Sequence, residues 1–351
     1  MNILHIASIT NSKFTGVSVV VPQHVINQSK IANVKFLNIR NIKIDNLENQ
    51  LDYQESFDEN ILTNIDLVIF HEAYRFEYLK IGKILRNKKI PYIIIPHGEL
   101  SDIAQHKKYL KKKIANLLLW NKFINNALAI QCLSKSECDS TYFKAPKIIC
   151  TNGINSSIVK KEKFNEDKIN FVYIGRLDMV HKGLDLLVEA VSKIKQQLLD
   201  KHCVFNLYGP DLNGRFEKLS NLIHEYKVED IIILHHEISG KEKEDVLLNA
   251  DIFIQTSRFE GMPMGILEAL DYGIPTFVTE GTALGEYINK YNAGWVSETN
   301  SDAIKEKLLE CINESNYSTL GKNGIKLIED NFKWSVIAKQ TINKYKEILN
   351  K

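Results

Sequence analysis

Short continuous apolar runs alternate along this chain with stretches whose apolar residues fall at helical spacing. The apolar runs cover 3–7, 34–39, 67–71, 92–96, 129–133 and 148–150 in the first half, and 171–174, 204–208, 231–234, 251–256 and 276–279 in the second. Uninterrupted apolar runs of this length are expected of parallel strands covered on both faces, where strict alternation would mark a half-exposed sheet. Strand–helix alternation over the whole length predicts an α/β protein built from doubly wound parallel sheets.

Eleven strands are too many for one comfortable open sheet. The Lys- and Glu-rich segment 156–167 divides them almost evenly. The reading is an N-terminal domain over 1–160, a second over 161–331, and a final helical segment over 332–351. Trp334, Ile337, Ile342, Tyr345 and Ile348 give that last segment its helical spacing. It can finish the second domain or cross back to the first.

Open parallel sheets bind ligands beyond the carboxyl ends of their strands, so the residues at those ends are the candidates for chemistry. The densest such stretch is Ser257-Arg258-Phe259-Glu260-Gly261-Met262-Pro263-Met264-Gly265-Ile266-Leu267-Glu268. A buried strand runs into it, Gly and Pro turn the chain, and the apolar pattern of Ile266, Leu267, Ala269 and Leu270 starts a helix. The helix start favours anions. Two carboxylates, Glu260 in the turn and Glu268 in the helix, can hold sugar hydroxyls beside a bound phosphate. Arg176 leaves another strand end in Gly175-Arg176-Leu177, and Lys182 follows in His181-Lys182-Gly183-Leu184-Asp185. Two cations beside a helix start suit a diphosphate, the Arg as a fork and the Lys as a mobile point charge. Asp185 reads as a helix-start residue. Tyr208-Gly209 and Thr279-Glu280-Gly281 are glycine-bearing strand ends of the same style, open to either a ligand-lining or a plain turn role.

In the first half, Gly16 precedes an apolar helical stretch, and His97 ends a strand in Pro96-His97-Gly98-Glu99-Leu100. Gly16 reads as a turn glycine or as a point of close backbone approach. His97 is a candidate proton handler or hydrogen-bond donor, or a cap of the next helix. His71-Glu72 ends its strand in the same way. The run His106-Lys107-Lys108-Tyr109-Leu110-Lys111-Lys112-Lys113 followed by Leu117-Leu118-Leu119-Trp120 has two readings. One is a solvated basic helix face followed by a core face. The other is a patch that meets anionic lipid or a pyrophosphate-linked acceptor.

Composition narrows the function classes. The chain has 351 residues, 44% of them hydrophobic, which supports real cores and argues against disorder. A formal net charge of +2 does not indicate nucleic-acid binding. Five cysteines without a C-x-x-C pair read as ordinary thiols. The first residues lack a basic leader and a long apolar core, so they read as a strand and not as a signal peptide. No apolar run reaches about 18 residues, the least that spans a membrane. The expectation is a cytoplasmic protein, with contact at the inner face of the cell membrane on the lipid-patch reading. Dinucleotide-binding, P-loop and hydrolase-elbow fingerprints are absent. So are D-x-D and H-E-x-x-H, which leaves no candidate metal site.

Gly175-Arg176-Leu177 with Lys182-Gly183-Leu184-Asp185, and Glu260 and Glu268 with seven residues between them in Glu-Gly-Met-Pro-Met-Gly-Ile-Leu-Glu-Ala-Leu, resemble the family 4 retaining glycosyltransferases of GT-B fold, of the bacterial cell-surface polysaccharide type. Gly16, Pro96-His97-Gly98-Glu99-Leu100 and Asn152-Gly153-Ile154 fall where that family has a first-loop glycine, an N-domain histidine and an inter-domain turn. The first loop departs from the pattern, with Thr15 before a single Gly16 where paired glycines are common.

The resemblance implies two Rossmann-like domains facing across a cleft, with the last helix crossing back to the first domain. It implies a nucleotide-sugar donor as substrate, no cofactor, no metal, and a saccharide or lipid-linked acceptor. Arg176 and Lys182 would grip the diphosphate, and Glu268 the ribose hydroxyls. Glu260, with the backbone of Gly261, Met262, Pro263 and Met264, would hold the donor sugar and the developing charge. Gly16 would approach the phosphate, and His97 the sugar or the acceptor hydroxyl. Glu260 and His97 are the candidate catalytic residues. Contact with the membrane would run through Lys107, Lys108, Lys111, Lys112 and Lys113. The alternatives are a non-catalytic nucleotide-sugar-binding partner of another transferase, and a GT-B nucleotide-sugar epimerase or phosphorylase.

Overall fold

The computed structural model describes residues 1–11, 16–53, 57–100, 113, 115–165, 167–260 and 262–350. The chain divides into two compact units: Met1–Gly153 with Trp334–Lys351, and Ile154–Lys333.

The first unit is built on β1 (Asn2–Ala7), β2 (Asn33–Asn38), β3 (Gln50–Leu51), β4 (Leu67–His71), β5 (Tyr92–Ile95), β6 (Ala129–Cys132) and β7 (Lys147–Ile149), in the order β3-β2-β1-β4-β5-β6-β7. Every pairing is parallel; in the central pair Ile3 lies opposite Leu67 and Ile6 opposite Phe70. All five residues of β4 and all four of β5 are buried, as their unbroken apolar sequences require. Strand order reverses between β1 and β4, so the ends of those two strands frame the unit's switch point.

The helix Trp334–Leu349 belongs to this unit, so the final segment crosses back. Trp334 and Ile337 cluster with Val20 of the helix Gly16–Ser29. Gly153 makes that docking possible, since a Cβ there would stand 2.7 Å from the Trp334 Cα.

The second unit carries β8 (Ile169–Ile174), β9 (Cys203–Tyr208), β10 (Ile232–His235), β11 (Ile252–Gln255), β12 (Thr276–Thr279) and β13 (Gly294–Ser297), all parallel, in the order β10-β9-β8-β11-β12-β13. Its switch point falls between β8 and β11. One core packs around Phe171, Phe205, Leu187 and Leu219. Another packs around Phe253, Ile266, Leu270 and Leu327.

All eleven expected strands form, with ends displaced by two residues at most. Two strands escape the pattern. β3 has two residues, and β13 begins on a glycine and is only partly buried, so neither makes a continuous apolar run. Gly294 is needed there: its φ is +151°, and a Cβ would meet the Thr276 carbonyl oxygen at 1.9 Å.

The core-face reading of residues 117–120 is corrected. Leu117 and Leu118 are 73% and 72% exposed, and Leu119 is exposed too. Only Trp120 is inside, against Tyr74, Phe76 and Phe123. Residues Asn116–Trp120 form a wide π-turn, which shifts the side-chain period away from 3.6 and leaves the three leucines outward. Lys107, Lys108, Lys111 and Lys112 lie outside the described residues, while Lys113 is described and exposed.

Candidate active site

At the switch point of the second unit two strand-end segments are tied together. After β8 the chain reads Gly175-Arg176-Leu177. The buried Tyr173 hydroxyl donates to the Arg176 carbonyl at 2.7 Å and fixes the turn. Leu177 is buried while Arg176 points to solvent, and Arg176 makes no ion pair among the described residues. Asp178 then caps the short helix Met179–Lys182 by accepting from the His181 amide at 3.0 Å. Arg215 pairs with Asp178 at 3.0 Å.

Gly183 follows in the left-handed region at φ +64°. A Cβ there would lie 1.9 Å from the Thr256 carbonyl oxygen, so only glycine permits the approach. Thr256 seals the contact by donating its hydroxyl to the Gly183 carbonyl at 2.9 Å. Beyond β11, Arg258 donates from its backbone to the His181 carbonyl at 3.1 Å, and its guanidinium forks onto Asp185 at 2.7 and 2.8 Å. Asp185 does lie in the first turn of the helix Leu184–Lys193, and it also anchors this second loop.

The result is a direct ion pair between Lys182 and Glu260. Their side chains are 13% and 11% exposed, so the pair is little screened by water. The same Glu260 oxygen, Oε1, also accepts from Ser257 Oγ at 3.1 Å and Gln255 Nε2 at 3.3 Å. Behind the turn the Glu260 amide donates to the Gly281 carbonyl at 2.8 Å. Thr279-Glu280-Gly281 therefore acts as a backing for the turn. A Cβ at Gly281 would stand 2.4 Å from the Ser257 carbonyl oxygen.

The helix Met264–Tyr272 starts directly after Pro263, and Ile266, Leu267, Ala269 and Leu270 are fully buried. Glu268 is on its partly exposed side, paired with Lys243 of the helix Gly240–Asn249. Met262 and Met264 pack against the core beneath, and Pro263 is buried. Gly261 lies outside the described residues. Arg176, Lys182, Glu260 and Glu268 all belong to this one unit, and the structure joins Lys182 to Glu260 in a bonded pair.

The first unit has its own cluster, at the ends of β1, β4 and β5. His71 is fully buried and bonded on both sides, its Nε2 to His5 Nδ1 at 2.9 Å and its Nδ1 to His97 Nε2 at 3.1 Å. His97 has φ +50°, an unusual backbone for a side-chain-bearing residue. The following Gly98 amide donates to the buried Glu137 at 2.7 Å, which also accepts from the Leu133 amide at 2.6 Å. Burial lowers the His97 pKa to about 3, with His24 adding to the effect, and lowers that of His5 to about 3 as well. These imidazoles are neutral across the physiological range, so His97 does not carry a proton as an imidazolium. Gly16 opens the helix Gly16–Ser29; a Cβ there would meet nothing within 4 Å. Thr15, the departure in the first loop, is outside the described residues.

Several partners were not legible in the sequence. Ser257 and Arg258 stand in the densest stretch, yet nothing in their spacing points Ser257 to the Glu260 carboxylate or Arg258 to Asp185. Lys243 opposite Glu268, and His5 beneath His71, come from segments without any motif.

Residues 155–327 match the family model for glycosyl transferases group 1, a span that is nearly all of the second unit. An uncharacterised glycosyltransferase of Methanocaldococcus jannaschii, MJ1178, is 28% identical over 298 residues, 83% of this chain and 78% of that protein. WcaL of Salmonella typhimurium, named for colanic acid biosynthesis as a glycosyltransferase, is 28% identical over 138 residues, 37% of this chain and 32% of that protein. Among solved structures, Anabaena HepE in complex with UDP superposes with a TM-score of 0.71 at 14% identity, covering 99% of this chain and 100% of that one. The fold is GT-B, and the chain is a relative of glycosyltransferases.

Proposed function

We propose that this protein is a retaining, metal-independent glycosyltransferase that moves a sugar from a nucleotide-sugar donor to a hydroxyl of a saccharide or lipid-linked acceptor in cell-surface polysaccharide synthesis. The observation that carries the reading is the Lys182–Glu260 pair, held at the switch point of the second unit beside the exposed Arg176. A diphosphate entering there meets two cations and the start of the helix Met264–Tyr272. Lys182 is then shared between Glu260 and the phosphate oxygens. As the bond from anomeric carbon to phosphate breaks, charge grows on the diphosphate where Lys182 is already held by Glu260 and Arg176 leaves a turn fixed by Tyr173. Two resident cations make a divalent metal unnecessary for that stabilisation.

In this reading Glu268 accepts from the ribose hydroxyls, sharing them with Lys243. Glu260 holds the donor sugar, with Gly261 to Met264 around it. Gly16 and His97 serve from the first unit, Gly16 toward phosphate and His97 toward a sugar hydroxyl. The name of WcaL supports a polysaccharide product, and HepE, solved with UDP, makes a uridine diphosphate sugar the first donor to test. The outward Leu117, Leu118 and Leu119, with Phe76 exposed as well, support peripheral contact with the inner face of the membrane, the five lysines supplying the charge. No helix among the described residues is long and apolar enough to cross a membrane.

The test is a thermal-shift screen of nucleotide sugars in chelator, followed by nucleotide release with and without acceptor glycans. A ligand at 100 times its dissociation constant stabilises by about 2.7 kcal/mol. Donor conversion without acceptor would point to an epimerase, and binding without turnover on any acceptor to a non-catalytic partner.

A further inference from the structure

The histidine chain beneath His97 has a direction, and that direction starts at a backbone carbonyl. Gln131 Nε2 donates to the Cys150 carbonyl at 3.2 Å. A carbonyl can only accept, so this amide is turned with Oε1 toward Tyr345. The Tyr345 hydroxyl donates to that Oε1 at 2.5 Å. Its hydrogen is thereby used, so toward the neighbouring Gln28 side-chain amide its oxygen can only accept; the buried Gln28 Nε2 has no partner at full hydrogen-bond geometry, and Tyr345 is the group beside it that can take its hydrogen.

Gln28 is then fixed with Oε1 toward His5 Nε2, 3.1 Å away. His5 must carry its hydrogen on Nε2 to donate there. Its Nδ1 is a lone pair, so the bond from His71 Nε2 at 2.9 Å is a donation from His71. His71 Nδ1 is in turn a lone pair, and His97 Nε2 donates to it at 3.1 Å. His97 ends the chain as the Nε2–H tautomer. Its Nδ1 has no hydrogen-bond partner among the described residues. All seven residues belong to the first unit, and His5, His71, Gln28, Gln131 and Tyr345 are fully buried, so water does not compete for these bonds. Reversing the chain would turn Gln131 Oε1 against the Cys150 carbonyl, acceptor against acceptor.

We propose that Gln131, Tyr345, Gln28, His5 and His71 are positioning residues that lock His97 in the Nε2–H tautomer, so that its Nδ1 accepts a hydrogen bond from a sugar hydroxyl. The hydroxyl part rests on the transferase reading above; the tautomer does not. The ring orients the hydroxyl as a fixed acceptor and takes no proton from it. A hydroxyl that donates to Nδ1 keeps its oxygen lone pairs turned elsewhere, which suits an anchoring hydroxyl on the donor sugar or acceptor and not the attacking one.

The experiment is nitrogen-15 NMR of the histidine rings in the full-length protein, with His97 assigned by His97→Gln. The expected wild-type spectrum has His97 Nε2 protonated and Nδ1 bare at neutral pH, in one state. Tyr345→Phe removes the hydroxyl that orients Gln28, and a second His97 tautomer is expected. Gln28→Glu, whose ionised carboxylate can only accept from His5 Nε2, is expected to keep the single tautomer. Should Tyr345→Phe fail to fold, Gln28→Met is read the same way. In turnover assays Tyr345→Phe should lower kcat several-fold with an unchanged KM for the donor, and Gln28→Glu should retain most of the wild-type kcat. A wild-type His97 protonated on Nδ1, or a single unchanged tautomer in both Tyr345→Phe and Gln28→Met, overturns the proposal. The tautomer is read without substrate. A correct tautomer in a protein that transfers no sugar therefore upholds the chain and sinks only the transferase reading.

Discussion

Gly183 and Thr256 approach so closely that a single methyl group at 183 would lie 1.9 Å from the Thr256 carbonyl oxygen. That contact fixes the end of the Lys182 helix onto the end of β11, and so holds Lys182 against Glu260. Gly183→Ala is expected to force the two loops apart. Overpacking of this kind costs about 1–3 kcal/mol, and the left-handed φ adds to it. The check is a denaturant melt together with nucleotide affinity. Both should fall, the affinity by more than the lost stability explains, because the cation moves with the loop.

Lys182→Ala removes one cation from the proposed diphosphate site and leaves Glu260 buried without its charge partner. Breaking a buried pair from one side costs roughly 3–5 kcal/mol where desolvation is complete, and less here at 13% and 11% exposure. Turnover should drop by about a hundredfold or more. Arg176→Ala, with no described ion pair to lose, should cost a similar factor in turnover with almost no change in melting. Equal melting losses for the two variants would contradict the assignment of Lys182 as the paired cation.

Glu268 and Lys243 separate affinity from stability in the same way. Both side chains are about 30% exposed, so their pair contributes little, on the order of 1 kcal/mol or less. Glu268→Ala should nonetheless weaken nucleotide binding by roughly 1.5–3 kcal/mol, the range for hydrogen bonds to a charged group. Lys243→Ala should leave affinity unchanged or raise it. Titration calorimetry with a nucleoside diphosphate reads both.

The buried histidines make stability depend on pH. His5 and His97 are lowered to about 3 and His24 to about 4, burial being the first cause in each, and His71 is lowered too. The unfolded chain takes up protons near the ordinary value of 6.5, and the folded chain excludes them until far lower pH. Their contribution is therefore intact above about pH 6.5 and is lost as pH falls toward 4. Each histidine adds at most about 1.4 kcal/mol per pH unit to that slope. Thermal melts between pH 7.5 and 4.5 should show a steep acid-side loss, shallower in His24→Gln. A flat profile through pH 5 would contradict the buried neutral cluster.

How much of this was legible in the sequence follows from the kind of interaction involved. Parallel strands buried on both faces leave unbroken apolar runs, so eleven of them could be read directly, and the two edge strands Gln50–Leu51 and Gly294–Ser297 could not. Arg176, Lys182, Glu260 and Glu268 stood out because strand ends, glycines and a helix start surround them. Their pairing did not. Lys182 and Glu260 are 78 residues apart, and the contact that joins them needs Gly183, whose role appears only against the Thr256 backbone. Leu117–Leu119 misled in the opposite direction: an apolar run before Trp120 reads as core until the π-turn at Asn116–Trp120 points the leucines outward. His5 and Gln28 gave no signal, since a lone histidine in an apolar strand is an ordinary sight and its partner is 23 residues away.

The central claim is that Arg176 and Lys182 bind the diphosphate of a nucleotide-sugar donor without a metal. Titrating uridine diphosphate into the full-length protein in excess chelator, beside the Arg176→Ala and Lys182→Ala variants, tests it most directly. Saturable one-site binding to the wild type is expected, weakened tenfold or more, about 1.4 kcal/mol, in each variant. Other nucleoside diphosphates are substituted if uridine does not bind. Wild-type affinity retained in both variants, or binding of every nucleoside diphosphate only when a divalent metal is restored, would contradict it.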